Sequence, residues 1–313
     1  MLHSLISDGY ESLLALAGII FAFVVTVAAT AKLQGLLPKD AGREYAHDGK
    51  LSAGKPRGAG IIFVLAFVVS ALLFVPVSAE LVIYLILLVI CMMTGFLDDA
   101  SKTPWGEYKK GFLDLCVAAL VAVTFLQYNS NVIDLPFVGK QITIPTVLFA
   151  ILAVILVWGS VNVTNCADGV DGLSGTLTIV TIITIYMIDK SYLILLFAVC
   201  ILGYLWFNAT PSKLMMGDAG SRSMGLFISI AILKTGSPLL YIPVALVLIL
   251  DGGLGLVKIF LLRFLKIRIL KNTRTPLHDH VRKVWGWSNT QTVFRFAIIQ
   301  IILAVAVVYG VGM

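Results

Sequence analysis

Residues 144–163 read IPTVLFAILAVILVWGSVNV, a run of twenty residues without a charged side chain. A helix needs about 17–25 mostly apolar residues to cross a hydrocarbon core about 30 Å thick, so this stretch predicts a membrane-spanning helix. The residues that follow, TNCADGVDGL at 164–173, are polar and acidic and predict a loop at one membrane surface. Apolar helices that end in short polar loops are therefore the expected building pattern of this protein.

The whole chain has the composition of a membrane protein. Hydrophobic residues make up 59% of its 313 residues and charged residues only 13%, whereas a soluble domain carries roughly 25% charged residues. One globular core could not bury this much apolar surface, so lipid is the expected solvent. We predict an all-α integral membrane protein with a single polytopic domain over residues 1–313.

About ten segments are long enough to span the membrane. They lie at 13–32, 58–78, 80–98, 111–128, 144–163, 172–188, 191–208, 221–235, 237–264 and 292–312. The ninth is expected to break near Gly252, Gly253 and Gly255. Between the fourth and fifth, residues 129–143 have the pattern of a short external β-hairpin.

The basic residues orient these spans. With both termini outside, all but three of the 23 Lys and Arg residues fall in the inside segments, the exceptions being Lys140, Lys190 and Lys234. This asymmetry satisfies the positive-inside rule, so the other polar loops are predicted to be cytoplasmic. The net charge of +6 then needs no nucleic-acid partner, and a basic cytoplasmic face suits anionic substrates.

Two adjacent carboxylates, Asp98 and Asp99, end the third predicted span. The C-terminus of a helix carries partial negative charge, so each acid costs roughly 0.3–1 kcal/mol there. The arrangement calls for a cation, either Lys102 one turn later or a bound metal ion. The alternative is an ordinary solvated helix end with one ion pair.

The loop after the fifth span carries polar side chains at every third position, namely Asn162, Asn165, Asp168 and Asp171. On helical or tight-turn backbone they share one face. Gly169 and Gly172 permit positive φ and let a ligand approach the backbone. No Lys or Arg in this loop pairs with the acids, which favours a bound ligand.

A third polar segment, NATPSKLMMGDAGS at 208–221, is expected to be a turn with Ser221 capping the next span. Backbone amides at that helix start, with Lys213 and Arg222 nearby, would suit a phosphate. Asp218 would then suit a Mg²⁺ ion. A plain interhelical turn is the alternative.

Further candidates lie near the C-terminus and within spans. The His278 and His280 pair could bind metal or phosphate or shuttle protons, and the alternative is an exposed loop without a role. Asp114 and Asp251 fall inside spans, where a charge is costly. Asp114 is expected at the membrane boundary and Asp251 at a cavity beside the broken ninth helix.

Four motifs now stand in a fixed order: DDASK at 98–102, NVTNCADGVDGL at 162–173, NATPSKLMMGDAGS at 208–221, and PLHDH at 276–280 followed by GW at 286–287. Their combination resembles the polyprenyl-phosphate N-acetylhexosamine-1-phosphate transferases over nearly the whole chain. The resemblance implies a Mg²⁺-dependent phosphoglycosyl transferase, a homodimer with multi-pass subunits in the bacterial cytoplasmic (inner) membrane, with its active site on the cytoplasmic side. In the muramoyl branch, UDP-MurNAc-pentapeptide and undecaprenyl phosphate give lipid I and UMP.

The resemblance also implies residue roles. The catalytic candidates are Asp98, Asp99, Asp218, His278 and His280. The substrate-binding candidates are Lys102, Asn162, Asn165, Asp168, Gly169, Asp171, Asn208 and Met215. Asp98 would be the base that deprotonates or holds the polyprenyl phosphate, and Asp218 would be the Mg²⁺ ligand or, in a two-step scheme, the nucleophile.

Three departures bear on the sugar. Asp279 stands where the muramoyl branch has a middle histidine, Met215 stands where an aromatic residue often stacks on uracil, and KPRGAG at 55–60 replaces a Thr-Pro-rich segment. A GlcNAc-1-phosphate transferase is therefore the alternative, although GWSNTQTVFRF at 286–296 favours the muramoyl branch. An ion-coupled transporter is the distant alternative, and it would place acids near the bilayer midplane.

Overall fold

The structure is a computed structural model that describes residues 10–42, 52–101 and 103–312. The helices are α1 (Glu11–Leu33), α2 (Gly60–Phe74), α3 (Ala79–Asp99), α4 (Glu107–Tyr128), α5 (Thr146–Cys166), α6 (Leu173–Asp189), α7 (Tyr192–Asn208), α8 (Gly217–Lys234), α9 (Tyr241–Val244), α10 (Leu246–Leu248), α11 (Leu254–Phe264), α12 (Leu277–Lys283) and α13 (Asn289–Gly310). A π-helix (Ile249–Gly253) joins α10 to α11.

Each of the ten predicted segments coincides with a helix or with the α9–α11 series, which confirms the mostly helical fold. Within the described ranges, five helices are long and apolar enough to cross a membrane: α1, α3, α4, α5 and α13. The bent series from residue 238 to residue 264 makes a sixth, while α2, α6 and α7 are apolar but shorter. The count of ten spans and the side of the termini stay predictions.

The predicted hairpin is present between α4 and α5. Strands β1 (Val132–Leu135) and β2 (Lys140–Thr143) pair antiparallel, with Ile133 opposite Ile142. The backbone N–H of Asp134 donates to the carbonyl of Gly236 at 2.8 Å, which ties the hairpin to the loop after α8. The hairpin therefore lies at the end of the bundle where α4 and α8 finish.

Helix α8 lies at the centre of the bundle. Its residues 217–233 are all buried, and it packs against α2, α3, α5 and α6. Glycines permit the close approach, because a Cβ at Gly60 would collide with the backbone of Gly220 and a Cβ at Gly95 would collide with the backbone of Asp218. The start of α8 is thereby wedged between α2 and α3.

The predicted position of the break in the ninth span was wrong. The chain bends by 73° between Val244 and Leu246, ahead of the glycines. The buried Gln300 side chain of α13 satisfies the backbone groups freed there, because it accepts from the N–H of Val247 at 2.9 Å and donates to the carbonyl of Val244. Gly252 instead permits packing, since a Cβ there would collide with the carbonyl of Val163.

Candidate active site

The predicted polar clusters meet at one end of the bundle. Helices α3, α5 and α7 end there, and α4, α6 and α8 begin there, because consecutive helices joined by short loops run antiparallel. Asp98, Asn165 and Asn208 lie in the last turns of α3, α5 and α7. Asp218 lies in the first turn of α8.

Lys110, in the first turns of α4, joins two of the predicted catalytic acids. Its Nζ forms an ion pair with Oδ2 of Asp98 and lies 3.0 Å from Oδ2 of Asp218. The other oxygen of Asp98 accepts from the N–H of Trp105 at 2.7 Å. Asp98 and Asp218 are both buried, so Lys110 offsets repulsion that water would not screen.

Arg57 makes a second connection from the loop before α2. Its Nε lies 2.8 Å from Oδ1 of Asp99, and its Nη1 and Nη2 lie 3.4 and 3.6 Å from carboxylate oxygens of Asp40 and Asp218. The other oxygen of Asp99 accepts from the N–H of Ala219 at 3.2 Å. We call Asp40, Asp98, Asp99 and Asp218 with Lys110 and Arg57 the acid cluster.

The cluster favours the charged forms of Asp218 and Arg57, whereas burial raises the pKa of Asp99 to about 6. Burial raises the pKa of the Asp218 carboxyl, but Lys110 and Arg57 outweigh burial and hold that pKa below its usual value. Burial lowers the pKa of Arg57, but Asp99 and Asp218 outweigh it and leave that pKa above its usual value. Asp218 is therefore ionised at neutral pH and can bind a cation.

The residues present fit a Mg²⁺ ion. Four carboxylates meet two cations in the acid cluster, so added positive charge would be favourable there. Oδ1 of Asp99 is buried and is paired with Nε of Arg57 at 2.8 Å without the geometry of a hydrogen bond. No group of three Asp, Glu, His or Cys side chains is arranged to hold a metal among those residues, but Mg²⁺ commonly uses one or two carboxylates and completes its shell with water and substrate phosphates.

The loop after α5 contacts two neighbouring segments. Oδ1 of Asn165 accepts from the hydroxyl of Ser221 at 2.9 Å, which links α5 to α8. Oδ2 of Asp171 accepts from the hydroxyl of Ser212 at 2.6 Å and lies 3.6 Å from Nζ of Lys55. The prediction that the acids of this loop lack a partner cation was wrong for Asp171, because Lys55 of the loop before α2 supplies one.

The Asn208 side chain connects two loops by hydrogen bonds. The side-chain oxygen accepts from the N–H of Gly172 at 2.8 Å, and the amide donates to the carbonyl of Leu214 at 2.8 Å. Gly172 has φ +85°, as its sequence position predicted. Asn162 does not join this network, because its amide donates to the carbonyl of Trp158 in its own helix.

His278 reaches the same region through a buried carboxylate. Its Nδ1 lies 2.9 Å from Oδ2 of Asp251, and its backbone N–H donates to Oδ1 of Asp251 at 2.7 Å. Its Nε2 lies against Gly169, where a Cβ would collide with the ring. Gly169 therefore gives the imidazole room to touch the loop after α5.

His280 occupies the opposite side of α12. Its Nδ1 accepts from the backbone N–H of Arg274 at 3.2 Å, and its ring meets Trp285 edge to face. Asp279 between the two histidines forms an ion pair with Lys283 at 2.7 Å. Of the pair, only His278 is brought to the loop after α5.

Three predicted substrate-binding residues remain, namely Met215, Asp168 and Lys102. Met215 is half-buried, and its backbone bonds to Pro56 and Ala59 of the loop before α2. Asp168 is also half-buried and lies close enough to Arg57 to raise the pKa of that guanidinium. Lys102 lies outside the described residues.

Comparison with known proteins identifies the family of the chain. The Glycosyl transferase family 4 model matches residues 81–236. The phospho-N-acetylmuramoyl-pentapeptide-transferase of Treponema pallidum subsp. pallidum is 37% identical over 92% of this chain and 86% of its own length. The chain belongs to the phospho-N-acetylmuramoyl-pentapeptide transferases. Proteins of the same name from Brachyspira hyodysenteriae and Bartonella quintana are 30% and 28% identical, covering 81% and 91% of this chain and 80% and 88% of their own lengths.

Membership in the phospho-N-acetylmuramoyl-pentapeptide transferases makes the protein a phosphoglycosyl transferase and a multi-pass membrane enzyme. The residue roles inferred from the motifs stay predictions. Sequence reasoning did not find Lys110, Arg57, Lys55 or the contact of Asp251 with His278. The signal available for Asp251 was its charge within an apolar span.

The expectation for Ser221 was wrong. Ser221 does not cap α8, because the helix already begins at Gly217 and the Ser221 hydroxyl bonds to Asn165 and to the carbonyl of Gly217. The carboxylate of Asp114 is buried in an ion pair with Arg222, and the place of Asp114 at the membrane boundary stays a prediction. Arg222 is consequently turned away from any phosphate at the start of α8.

Proposed function

We propose that the protein transfers phospho-MurNAc-pentapeptide from UDP-MurNAc-pentapeptide to undecaprenyl phosphate, giving lipid I and UMP. The observation that carries the proposal is the acid cluster, in which Asp98, Asp99 and Asp218 converge beside the loop after α5. Relatives that bear the muramoyl name over most of their length support this donor rather than UDP-GlcNAc.

The proposed reaction exchanges one phosphoanhydride bond for another. An oxygen of undecaprenyl phosphate attacks the sugar-linked phosphorus of the donor, and UMP leaves with the bridging oxygen. Asp98 accepts the remaining proton of the acceptor phosphate or holds that phosphate through Lys110. Transfer between two anions depends mainly on positioning and charge neutralisation, which Lys110 and Arg57 would supply.

Mg²⁺ is the proposed cofactor, held by Asp218 with Asp99 beside it. A bound Mg²⁺ would neutralise the donor diphosphate and stabilise the charge that develops on the leaving UMP. The two oxygens of Asp218 lie 3.0 Å from Lys110 and 3.6 Å from Arg57. This anchoring favours a ligand role for Asp218 over attack on the donor, and with it direct transfer over an aspartyl intermediate.

The remaining predicted residues are proposed to bind the donor. Asn165, Asp168, Gly169, Asp171, Asn208 and Met215 would receive the nucleoside and phosphates, with Asn162 at the edge and His278 at the diphosphate. Lys102, outside the described residues, stays a sequence-based candidate. We place the site on the cytoplasmic side of the bacterial cytoplasmic membrane, because the distribution of Lys and Arg predicts that side for its loops. The lipid acceptor would reach it by sliding within the bilayer. A homodimer is the proposed assembly.

The test uses purified protein with undecaprenyl phosphate, Mg²⁺ and either UDP-MurNAc-pentapeptide or UDP-GlcNAc, with released UMP as the readout. We expect UMP and a lipid-linked muramoyl pentapeptide only with the first donor. UMP from UDP-GlcNAc alone would overturn the muramoyl proposal in favour of GlcNAc-1-phosphate transfer. No UMP from either donor would overturn the transferase assignment at this site.

Two variants test the acid cluster in the same assay. We expect Asp98→Asn and Asp218→Asn each to reduce turnover by at least about 10²-fold, because each removes charge that the reaction uses. Asp189→Asn is the matched control, since Asp189 ends α6 at the opposite end of the bundle. Near-normal turnover in a folded Asp98 or Asp218 variant would remove that residue from the catalytic set.

A further inference from the structure

Asp251 is a fully buried carboxylate within the apolar α9–α11 series. A charged group at the centre of a membrane helix costs about 2.5–3.5 kcal/mol on insertion scales, so its retention calls for a specific partner. Asp251 has one in His278, which is itself 3% exposed. Within the described residues, the side-chain hydrogen bonds of Asp251 go to His278.

Both oxygens of Asp251 are used. Oδ1 accepts from the backbone N–H of His278 at 2.7 Å and lies 3.1 Å from Nδ1, while Oδ2 lies 2.9 Å from Nδ1. An ionised carboxylate only accepts hydrogen bonds, so beside an ionised Asp251 the proton of the imidazole lies on Nδ1. In a neutral ring that leaves Nε2 as the unprotonated nitrogen.

The backbone on both sides fixes this geometry. Gly252 presses against the carbonyl of Val163 in α5, which sets the position of Asp251 relative to the loop after α5. On the far edge of the ring, Nε2 lies against Gly169, the glycine that follows Asp168 in that loop. The imidazole thus bridges a buried acid on one side and the proposed diphosphate region on the other.

We propose that Asp251 is a positioning residue of the transferase site, which fixes the Nδ1–H form of His278 and directs Nε2 toward the donor diphosphate. The contacts of Asp251 with His278 support this role, and its effect on catalysis rests on the proposed function. With Nδ1–H held by a carboxylate, Nε2 can take up a proton and donate it to a phosphate oxygen, and Asp251 stabilises the resulting imidazolium. Asp251 itself contacts no substrate.

Asp251→Asn is the informative substitution. The side chain keeps its size, but its amide group can donate to Nδ1 and favour the opposite tautomer with the proton on Nε2. We expect kcat for UMP release to fall about 10- to 100-fold with KM within about threefold, the range found for groups that orient a functional side chain. Asp189→Asn serves as the matched control.

A double-mutant cycle separates positioning from a general loss of structure. If Asp251 acts through His278, Asp251→Asn should reduce kcat by less than about twofold when made in a His278→Gln background. Equal fold-losses in both backgrounds would overturn the proposal. Should Asp251→Asn prove unstable, Asp251→Ala in the same cycle keeps the test, since it also removes the carboxylate that accepts from Nδ1.

A second measurement does not depend on activity. The chain has four histidines, so ¹⁵N-histidine labelling gives few signals, and His278→Gln identifies the one of interest. We expect ¹⁵N shifts of wild-type His278 that report a protonated Nδ1, and their loss in Asp251→Asn. An unprotonated Nδ1 in the wild type would overturn the positioning proposal even if lipid I is formed, whereas a protonated Nδ1 in a protein inactive on both donors would leave it intact and remove only the proposed function.

Discussion

At the scale of single residues, Lys110 and Arg57 explain how the four carboxylates of the acid cluster can share one end of the bundle. The sequence predicted a cation for Asp98 and Asp99 but offered only Lys102 or a metal ion. Lys110 lies on the following helix and 108 positions before Asp218, so its ion pairs depend on how α3, α4 and α8 pack. Local spacing has no way to report such a contact.

Lys110→Met tests that cation. We expect at least about a tenfold loss of kcat, because the acceptor phosphate loses its cation, and half-saturation at a lower Mg²⁺ concentration, because Asp98 and Asp218 without Lys110 attract Mg²⁺ more strongly. The measurement is UMP release across a Mg²⁺ titration.

Its matched control is Lys109→Met. Lys109 is exposed and stacks on the Trp105 ring at 3.4 Å instead of entering the acid cluster. We expect only a small effect there, as for most surface substitutions. Equal losses for the two lysines would contradict a specific role for Lys110.

At the scale of elements, α8 shows how the site is supported from within the bundle. The helix is buried on all sides, and Arg222, one turn after Asp218, forms an ion pair with Asp114 of α4. The sequence predicted Arg222 beside a phosphate at the helix start, because the predicted span began too late, at residue 221. Once α8 begins at Gly217, Arg222 falls inside the bundle and needs a buried partner.

Asp114→Leu is expected to lower stability by about 3–5 kcal/mol, because it leaves the Arg222 guanidinium buried without its counter-charge. Adding Arg222→Met should recover most of that loss, since an apolar pair of similar volume is often as stable as a buried ion pair. Thermal unfolding in detergent measures both variants. Additive destabilisation in the double variant would show that the two residues contribute independently.

At the scale of the whole molecule, most of the fold could be predicted from the sequence. Most of the ion pairs and hydrogen bonds of the candidate site could not. Apolar length located the predicted spans, and Pro136 and Gly139 located the hairpin, because these are local properties. The bend at Ala245 depends on Gln300, which lies more than fifty residues later in α13. The motifs named the acids and His278, whereas their partners come from distant parts of the chain.

The proposed orientation in the membrane can be tested, because the hairpin and the acid cluster lie at opposite ends of the bundle. Phe137 in the hairpin turn is 59% exposed, and Leu265 is 56% exposed next to α11, where Arg263 pairs with Glu107 at the start of α4. In a variant without its native cysteines, we expect Phe137→Cys to react with a membrane-impermeant maleimide on intact spheroplasts. Leu265→Cys should react only after permeabilisation, as the distribution of Lys and Arg requires. Labelling of both positions from the same side would contradict the arrangement with the acid cluster in the cytoplasm.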